Sequence, residues 1–373
     1  MKEPQRVDID TFLAAPERFD AILDVRSPSE FAEDHVPGAS SCPVLDDAQR
    51  AEIGTLHARE SAFAAARRGA ALVSRNIAQL LETRLADRPR HWRPLVYCWR
   101  GGQRSGALAT VLARVGWPTS VLDGGYRAYR RRIPGELERL AQAQAFVVLA
   151  GRTGSAKSRL LEALEADGAQ VLDLERLAAH RGSVLGDLPG DPQPSQKMFE
   201  SRLWDRLRRA DPSRVMFVES ESKRVGRLHV PDALMRRIRA APCARIEAGV
   251  SERAAFLLAE YSHFTVDRVA LFRQLDCLVP LHGRERIAEW KALAERGHWQ
   301  RFVERLLADH YDPAYDRAIR RNFGAIDAAP AFGLDVTDAR AREATARALR
   351  ARHDVTVRTA AGARKGEASA SVR

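Results

Sequence analysis

The chain has 373 residues, 45% of them apolar and 29% charged, with a formal net charge of +11 and a pI near 10.0. At ~150 residues per domain this suits two to three soluble domains with sizeable cores, and the lack of any run of about 18 uncharged apolar residues excludes a spanning helix. The opening MKEPQRVDIDTFL has no signal-peptide apolar region, so the cytoplasm is the expected compartment; the basic balance suits a polyanionic partner, although the excess of Arg over Lys is also what a GC-rich coding sequence produces.

In chain order, AILDVR (21–26) reads as a buried strand, and Ser27 and Glu30 have capping-box spacing for a helix after it. His35-Val36-Pro37-Gly38-Ala39 reads as a turn and PLVYC (94–98) as a second strand. Leu108, Val111, Leu112 and Val115 repeat at helical spacing up to Gly116, which predicts a helix with one buried face. TSVLD (119–123) is a further strand, stopped by Gly124-Gly125. A basic helix over roughly 126–143 follows, and then the pattern restarts. Strands are expected at 145–150, 169–173, 214–219, 244–248 and 333–337, with a helix at 251–261 and an all-helical insertion around 265–322. Strands alternating with helices predict parallel sheets. The fold class is therefore α/β twice over: a domain at 8–135, a linker helix at 136–144, a second domain at 145–352, and a small, polar tail at 353–373 expected to be disordered.

The four cysteines, Cys42, Cys98, Cys243 and Cys277, show no metal-ligand spacing. In a reducing compartment they are expected as thiols, three of them as packing residues. Cys98 differs because it opens the loop Cys98-Trp99-Arg100-Gly101-Gly102-Gln103-Arg104-Ser105 between a strand and a helix. A helix N-terminus carries partial positive charge, adjacent glycines let backbone N–H groups converge as an anion nest, and Arg100 and Arg104 add full charges. All three favour thiolate over thiol, so Cys98 is the candidate nucleophile.

Residues 151–158, Gly-Arg-Thr-Gly-Ser-Ala-Lys-Ser, follow an apolar strand and precede a helix. They fit the phosphate-loop pattern G-x-x-x-x-G-K-[ST] at Gly151, Lys157 and Ser158, with Ala156 where the pattern has Gly. Backbone N–H groups over Thr153, Gly154, Ser155, Ala156, Lys157 and Ser158 are expected to cradle a diphosphate. Lys157 would neutralise it, and Ser158 is a candidate Mg²⁺ ligand. The Ala156 methyl is tolerable on the expectation of a negative φ. Glu219 and Glu221 are candidate acidic partners for Lys157 or a metal, or simply ion-pair partners for arginines. His180 and Arg181, in His180-Arg181-Gly182-Ser183, are either ligand contacts or a helix end capped by Gly182. His310-Tyr311-Asp312-Pro313 reads as a structural turn.

The first half resembles the rhodanese family. The resemblance rests on Asp24-Val25-Arg26-Ser27-Pro28, Glu30-Phe31, His35-Val36-Pro37-Gly38-Ala39, the Cys98 loop and Gly124-Gly125. Asp24 and Arg26 read as structural. The loop is Cys-x5-Arg, a residue longer than is common in rhodaneses; the cell-cycle dual-specificity phosphatases of the same fold share the longer form. Both halves together resemble the bacterial tRNA 2-selenouridine synthases, through Val96–Gly102, Gly124–Arg127, Leu172–Glu175, His180–Ser183, Gln193–Gln196, Phe199-Glu200, Glu219–Ser222 and His310–Pro313.

That resemblance implies an enzyme that S-geranylates a wobble 2-thiouridine of tRNA with geranyl diphosphate, then exchanges the geranylated sulfur for selenium from selenophosphate. It implies no tightly bound cofactor, tRNA as macromolecular substrate, a selenophosphate-supplying enzyme as a candidate partner, and no membrane or DNA partner. Two other readings stay open from the residues alone. One is a Cys-x5-Arg phosphatase or sulfurtransferase with a nucleotide-sensing domain; the other is a non-catalytic regulator.

Overall fold

Apolar strands buried on both faces require helices above and below a parallel sheet, and the chain builds two such sheets. A computed structural model describes residues 3–182 and 190–353, apart from the side chains of His263 and Phe264. Ser183 and the tail from 354 on lie outside the described residues. The chain divides into two compact units. The first runs to Glu136 and adds Pro194–Asp205; the second begins at Leu137 and resumes at Arg206.

In the first unit the strands are β1 (Gln5–Val7), β2 (Ala21–Asp24), β3 (Ala39–Ser41), β4 (Pro94–Tyr97) and β5 (Ser120–Leu122), all parallel in the order β1-β5-β4-β2-β3. Every residue of the central strand β4 is buried. The helix Gln103–Val115 covers it with Leu108, Ala109, Leu112 and Ala113. Val115, assigned to that face by its spacing, is instead 57% exposed at the last helical position, one residue before Gly116 turns the chain. Ala109 and Ala113 take the buried positions because a close-packed helix accepts small side chains where it crosses a sheet. The helix Pro28–Glu33 is capped as expected, the Ser27 N–H donating to Glu30 Oε2 at 3.1 Å.

Asp34, only 1% exposed, ties the later segment into this unit. Its carboxylate accepts from Ser201 Oγ at 2.8 Å and from the Tyr126 hydroxyl at 2.7 Å, while its carbonyl accepts from the Arg26 guanidinium at 2.6 Å. Arg26 and Asp24 form a buried ion pair at 2.6 Å, the structural role expected of them.

The second unit holds β6 (Phe146–Ala150), β7 (Gln170–Leu172), β8 (Met216–Glu219), a short antiparallel hairpin β9 (Arg224–Val225) and β10 (Leu228–His229), β11 (Cys243–Glu247) and β12 (Ala331–Gly333). Its parallel sheet has the order β12-β11-β6-β8-β7. The chain leaves β6 towards β7 on one side and β11 towards β12 on the other. That makes the crevice beyond the carboxyl end of β6 a topological switch point, where such sheets bind ligands.

The strand expected at 333–337 lies earlier, at Ala331–Gly333. Asp335 Oδ1 captures the Thr337 N–H at 3.0 Å and its hydroxyl at 2.7 Å, so a local turn replaces ladder bonds there. The insertion is helical as expected, but His310–Pro313 is no turn. A π-helical stretch, Leu307–Tyr311, runs straight into the helix Asp312–Asn322, with Pro313 at its second position. No helix among the described residues is long and apolar enough to cross a membrane.

Candidate active sites

Cys98 stands just past the carboxyl end of β4 and is 4% exposed. Its sulfur accepts a hydrogen bond from Ser105 Oγ at 3.3 Å. Ser105 lies seven positions on, in the first turn of the helix Gln103–Val115. In the sequence the only signal for this contact is a hydroxyl one turn inside the helix. Gly102 enters that helix at φ +75, a left-handed conformation that suits glycine. Gly125 is required for a different reason: a Cβ there would lie 2.3 Å from the Cys98 carbonyl oxygen. That close approach lets the N–H groups of Tyr126 and Arg127 donate to the carbonyls of Cys98 and Trp99 at 2.8 and 3.0 Å. The cysteine loop is thus bolted to the helix Gly125–Ala143.

Around this thiol, Gly101 and Arg100 are exposed, whereas Arg104 is bound by Glu30 at 2.7 Å. Cys42 and Cys243 are buried, and burial pushes each thiol up to about 11. Cys277, expected as a packing residue, is exposed: it caps the end of the helix Arg268–Asp276 and faces out.

The phosphate loop follows β6 and leads into the helix Lys157–Ala166. The first N–H groups of that helix have no carbonyl partners within it. Lys157 Nζ lies across the loop, donating to the Gly151 carbonyl at 2.6 Å, with the Tyr315 ring centroid 5.9 Å away. The Ser158 hydroxyl donates to Glu175 Oε2 at 2.8 Å. Among the described residues no group of three or more His, Cys, Asp or Glu is placed to hold a metal ion.

Ala156 departs from expectation. Its φ is +55, the left-handed region, and not negative. A Cβ there is strained by about 1–2 kcal/mol, which is why the pattern favours glycine. The Ala156 methyl is nevertheless buried in the core of this unit, worth about 0.8 kcal/mol, and alanine stiffens the unfolded chain relative to glycine by about 0.4–1 kcal/mol. The terms nearly cancel. Ala156→Gly should therefore change unfolding free energy in urea by no more than about 1 kcal/mol. Ala156→Val should be strongly destabilising, because a β-branched residue rarely tolerates positive φ. Equal stability of the two variants would contradict this account of the loop.

Glu219 and Glu221 flank the loop. Glu219 is 1% exposed; its Oε1 accepts from the Glu175 N–H at 2.9 Å and its Oε2 is without a hydrogen-bond partner. Burial, then the charges of Asp173 and Glu175, hold its carboxyl well above the usual range. Burial and Glu175 push Glu221 up to about 8, and burial pushes Asp173 up to about 6. Lys157 is lowered by burial, against the opposing pull of Glu175, Glu221 and Glu219. Lys157 therefore shares its pocket with a group of carboxyls that resist ionising together, and Glu219 and Glu221 make no ion pair with an arginine among the described residues.

His180 is buried and its Nδ1 accepts from the Gly182 N–H at 3.0 Å. The helix Leu174–Ala178 is capped by Ala179 at φ +48, and not by Gly182. Arg181 donates to the Glu260 carbonyl at 2.8 Å and lies over the Tyr261 ring at 4.6 Å. His180 and Arg181 both line the cavity that begins at Lys157.

That cavity measures about 490 Å³. Lys157, Ser158, Glu175 and Glu221 contribute polar lining. Phe256, Leu257, Tyr261, Tyr311, Tyr315 and Phe323 contribute apolar lining, from the helices of the second half or the residues that cap them. A smaller apolar cavity of about 60 Å³ adjoins it through Leu257, Tyr261 and Tyr311 and extends to Trp299, Phe302 and Leu306. Asp312 holds this helical wall to the phosphate loop. It pairs with both terminal nitrogens of Arg253 at 2.9 and 2.7 Å, and Arg253 donates to the Thr153 carbonyl at 2.9 Å. Such a site suits a ligand with an anionic head and a hydrocarbon tail. None of this wall, nor Arg253, was legible as site residues in the sequence, because they lie about a hundred or more positions from the loop they face.

Both units match known proteins. A family model described as the tRNA 2-selenouridine synthase AAA domain matches residues 144–275, and the rhodanese-like domain model matches residues 8–132. The tRNA 2-selenouridine synthase of Alcanivorax borkumensis is 33% identical over 339 residues, covering 82% of this chain and 91% of that protein. Its counterpart in Marinobacter nauticus is 31% identical over 335 residues, covering 82% and 90%. That of Cupriavidus necator is 34% identical over 325 residues, covering 79% and 87%.

Proposed function

Because this chain belongs to the tRNA 2-selenouridine synthase family, we propose that it is an enzyme that converts wobble 2-thiouridine of tRNA to 2-selenouridine in two steps divided between its units. In the second unit, geranyl diphosphate lies with its diphosphate in the Gly151–Ser158 loop and its C10 chain against the aromatic helical wall. The thiocarbonyl sulfur of the nucleoside attacks C1; the C–O bond breaks, diphosphate leaves with the electron pair, and the N3 proton is released to solvent. Lys157 and the loop N–H groups stabilise the charge that builds on the leaving oxygen. In the first unit, beside Cys98, selenophosphate selenium adds at C2, the C2–S bond breaks with loss of geranylthiol, and water cleaves the P–Se bond to give phosphate. The reading places the protein in the cytoplasm with its tRNA.

The observation that carries this reading is one cavity lined both by the phosphate loop and by six aromatic or aliphatic side chains. The test supplies the purified protein with 2-thiolated tRNA, geranyl diphosphate and selenophosphate, and weighs the nucleosides. Geranylated and then selenated uridine should appear in that order, and omitting geranyl diphosphate should stop both. Selenation at full rate without geranyl diphosphate would sink the two-step reading.

A further inference from the structure

Cys98 is nearly buried, yet the next residue is among the most exposed aromatic side chains of the chain: Trp99 is 40% exposed. Its ring is not loose. It stacks on Tyr126 with centroids 5.3 Å apart and planes 29° apart. Tyr126 is in turn covered on its ring by the Arg26 guanidinium at 4.0 Å and anchored through its hydroxyl to Asp34 at 2.7 Å. The backbone on either side is fixed by the bonds from Tyr126 and Arg127 to the Cys98 and Trp99 carbonyls. A tryptophan so supported has little conformational freedom left to lose when a second ring stacks against its outer side.

Three arginines lie near Trp99 along the backbone. Arg100 adjoins it in sequence, and Arg127 adjoins it through its bond to the Trp99 carbonyl. Arg131 shares a helix face with Arg127 by i, i+4 spacing. All three are exposed, and among the described residues none makes an ion pair or a side-chain hydrogen bond. Their neighbours differ: Arg130 is paired with Glu200, and Arg132 with Asp10 and Glu136. A rigid aromatic face with unpaired arginines on the adjoining backbone is an arrangement that suits unpaired nucleotides, the ring taking a base and the arginines its phosphates.

We propose that Trp99 is a nucleobase-stacking site, which holds the unpaired target pyrimidine of the tRNA beside Cys98 with Arg100, Arg127 and Arg131 on the flanking phosphates. This rests on the reading that selenium exchange takes place at Cys98. It adds how the acceptor carbon is brought to a thiol that is itself 4% exposed.

The experiment measures selenium transfer to tRNA geranylated beforehand, at varied tRNA concentration, in the wild-type protein and in Trp99→Phe and Trp99→Leu, with thermal unfolding as the check on folding. Stacking of one base corresponds to a KM raised about tenfold in Trp99→Leu. Trp99→Phe keeps a π-face and should stay within about threefold of wild type. Leucine matching wild type would mean that the site grips the geranyl chain or a protein surface, and phenylalanine as poor as leucine would mean a packing role; either overturns the proposal. A second measurement does not depend on any variant: irradiating wild-type protein with full-length tRNA carrying 4-thiouridine at the wobble position should crosslink Trp99, and a crosslink mapping elsewhere overturns it. Cys98→Ser serves as the separate control. If that variant still selenates, the Cys98 reading itself fails, whatever the Trp99 variants show.

Discussion

Lys157→Ala should lower the rate of geranylation about a hundredfold, the loss on the order of 3 kcal/mol expected when one preorganised donor to a developing oxyanion is removed. Departure of diphosphate concentrates charge on the bridging oxygen, and Lys157 Nζ, 2.6 Å from the Gly151 carbonyl, lies within the loop that would hold that oxygen. Burial already disfavours the lysine's charge, so an anionic ligand that restores it binds with a matched partner. Cys98→Ser should do the opposite, leaving geranylation intact and letting geranylated tRNA accumulate without selenium. The swap is nearly isosteric, and the Ser105 hydroxyl that donates to the sulfur can donate to oxygen instead. Both variants are to be supplied with thiolated tRNA, geranyl diphosphate and selenophosphate, and the nucleosides weighed. If Cys98→Ser fails to geranylate, or Lys157→Ala geranylates at the wild-type rate, the chemistry is not divided as proposed.

Asp312→Ala should cost about 3–5 kcal/mol of stability in the second unit, because it leaves a buried guanidinium without its counter-charge. The Arg253 side chain is 3% exposed, against 15% for Asp312, and the pair is bidentate. Arg253 also donates to the Thr153 carbonyl, so the same change loosens the phosphate loop and should weaken diphosphate binding. The check is urea unfolding of Asp312→Ala, Arg253→Met and the double variant. Removing both partners should recover part of the loss, since the penalty comes from the charge left alone and not from the absent bond. Strictly additive losses would show that the two residues act independently, contrary to their geometry.

Local patterns carried far in this chain. The two parallel sheets, the strand–loop–helix settings of Cys98 and of Gly151–Ser158, and the Ser27–Glu30 cap all follow from spacings of a few residues. Apolar periodicity and Gly, Ser and Pro placement act at that range, so such features are decided before the chain folds back on itself. The sites' partners are decided otherwise. Ser105 on the Cys98 sulfur is seven residues away, but Glu30 on Arg104 is separated by 74 positions and Asp312 on Arg253 by 59. No local pattern states that Arg104 will be engaged by a carboxylate while Arg100 stays unpaired, or that Pro194–Asp205 returns to the first unit through Ser201 and Asp34.

The sign of φ at Ala156 also escaped the sequence, which shows a methyl where glycine is usual but not that the core takes the methyl in return for the strain. What the sequence by itself determined was the two reactive loops and the order of the elements that present them, because short-range sterics and periodicity suffice for that. What only the tertiary structure decided was the aromatic wall beside the phosphate loop, the fate of each arginine's charge and the exposed, braced face of Trp99, because those depend on which distant side chains packing brings within a few ångströms.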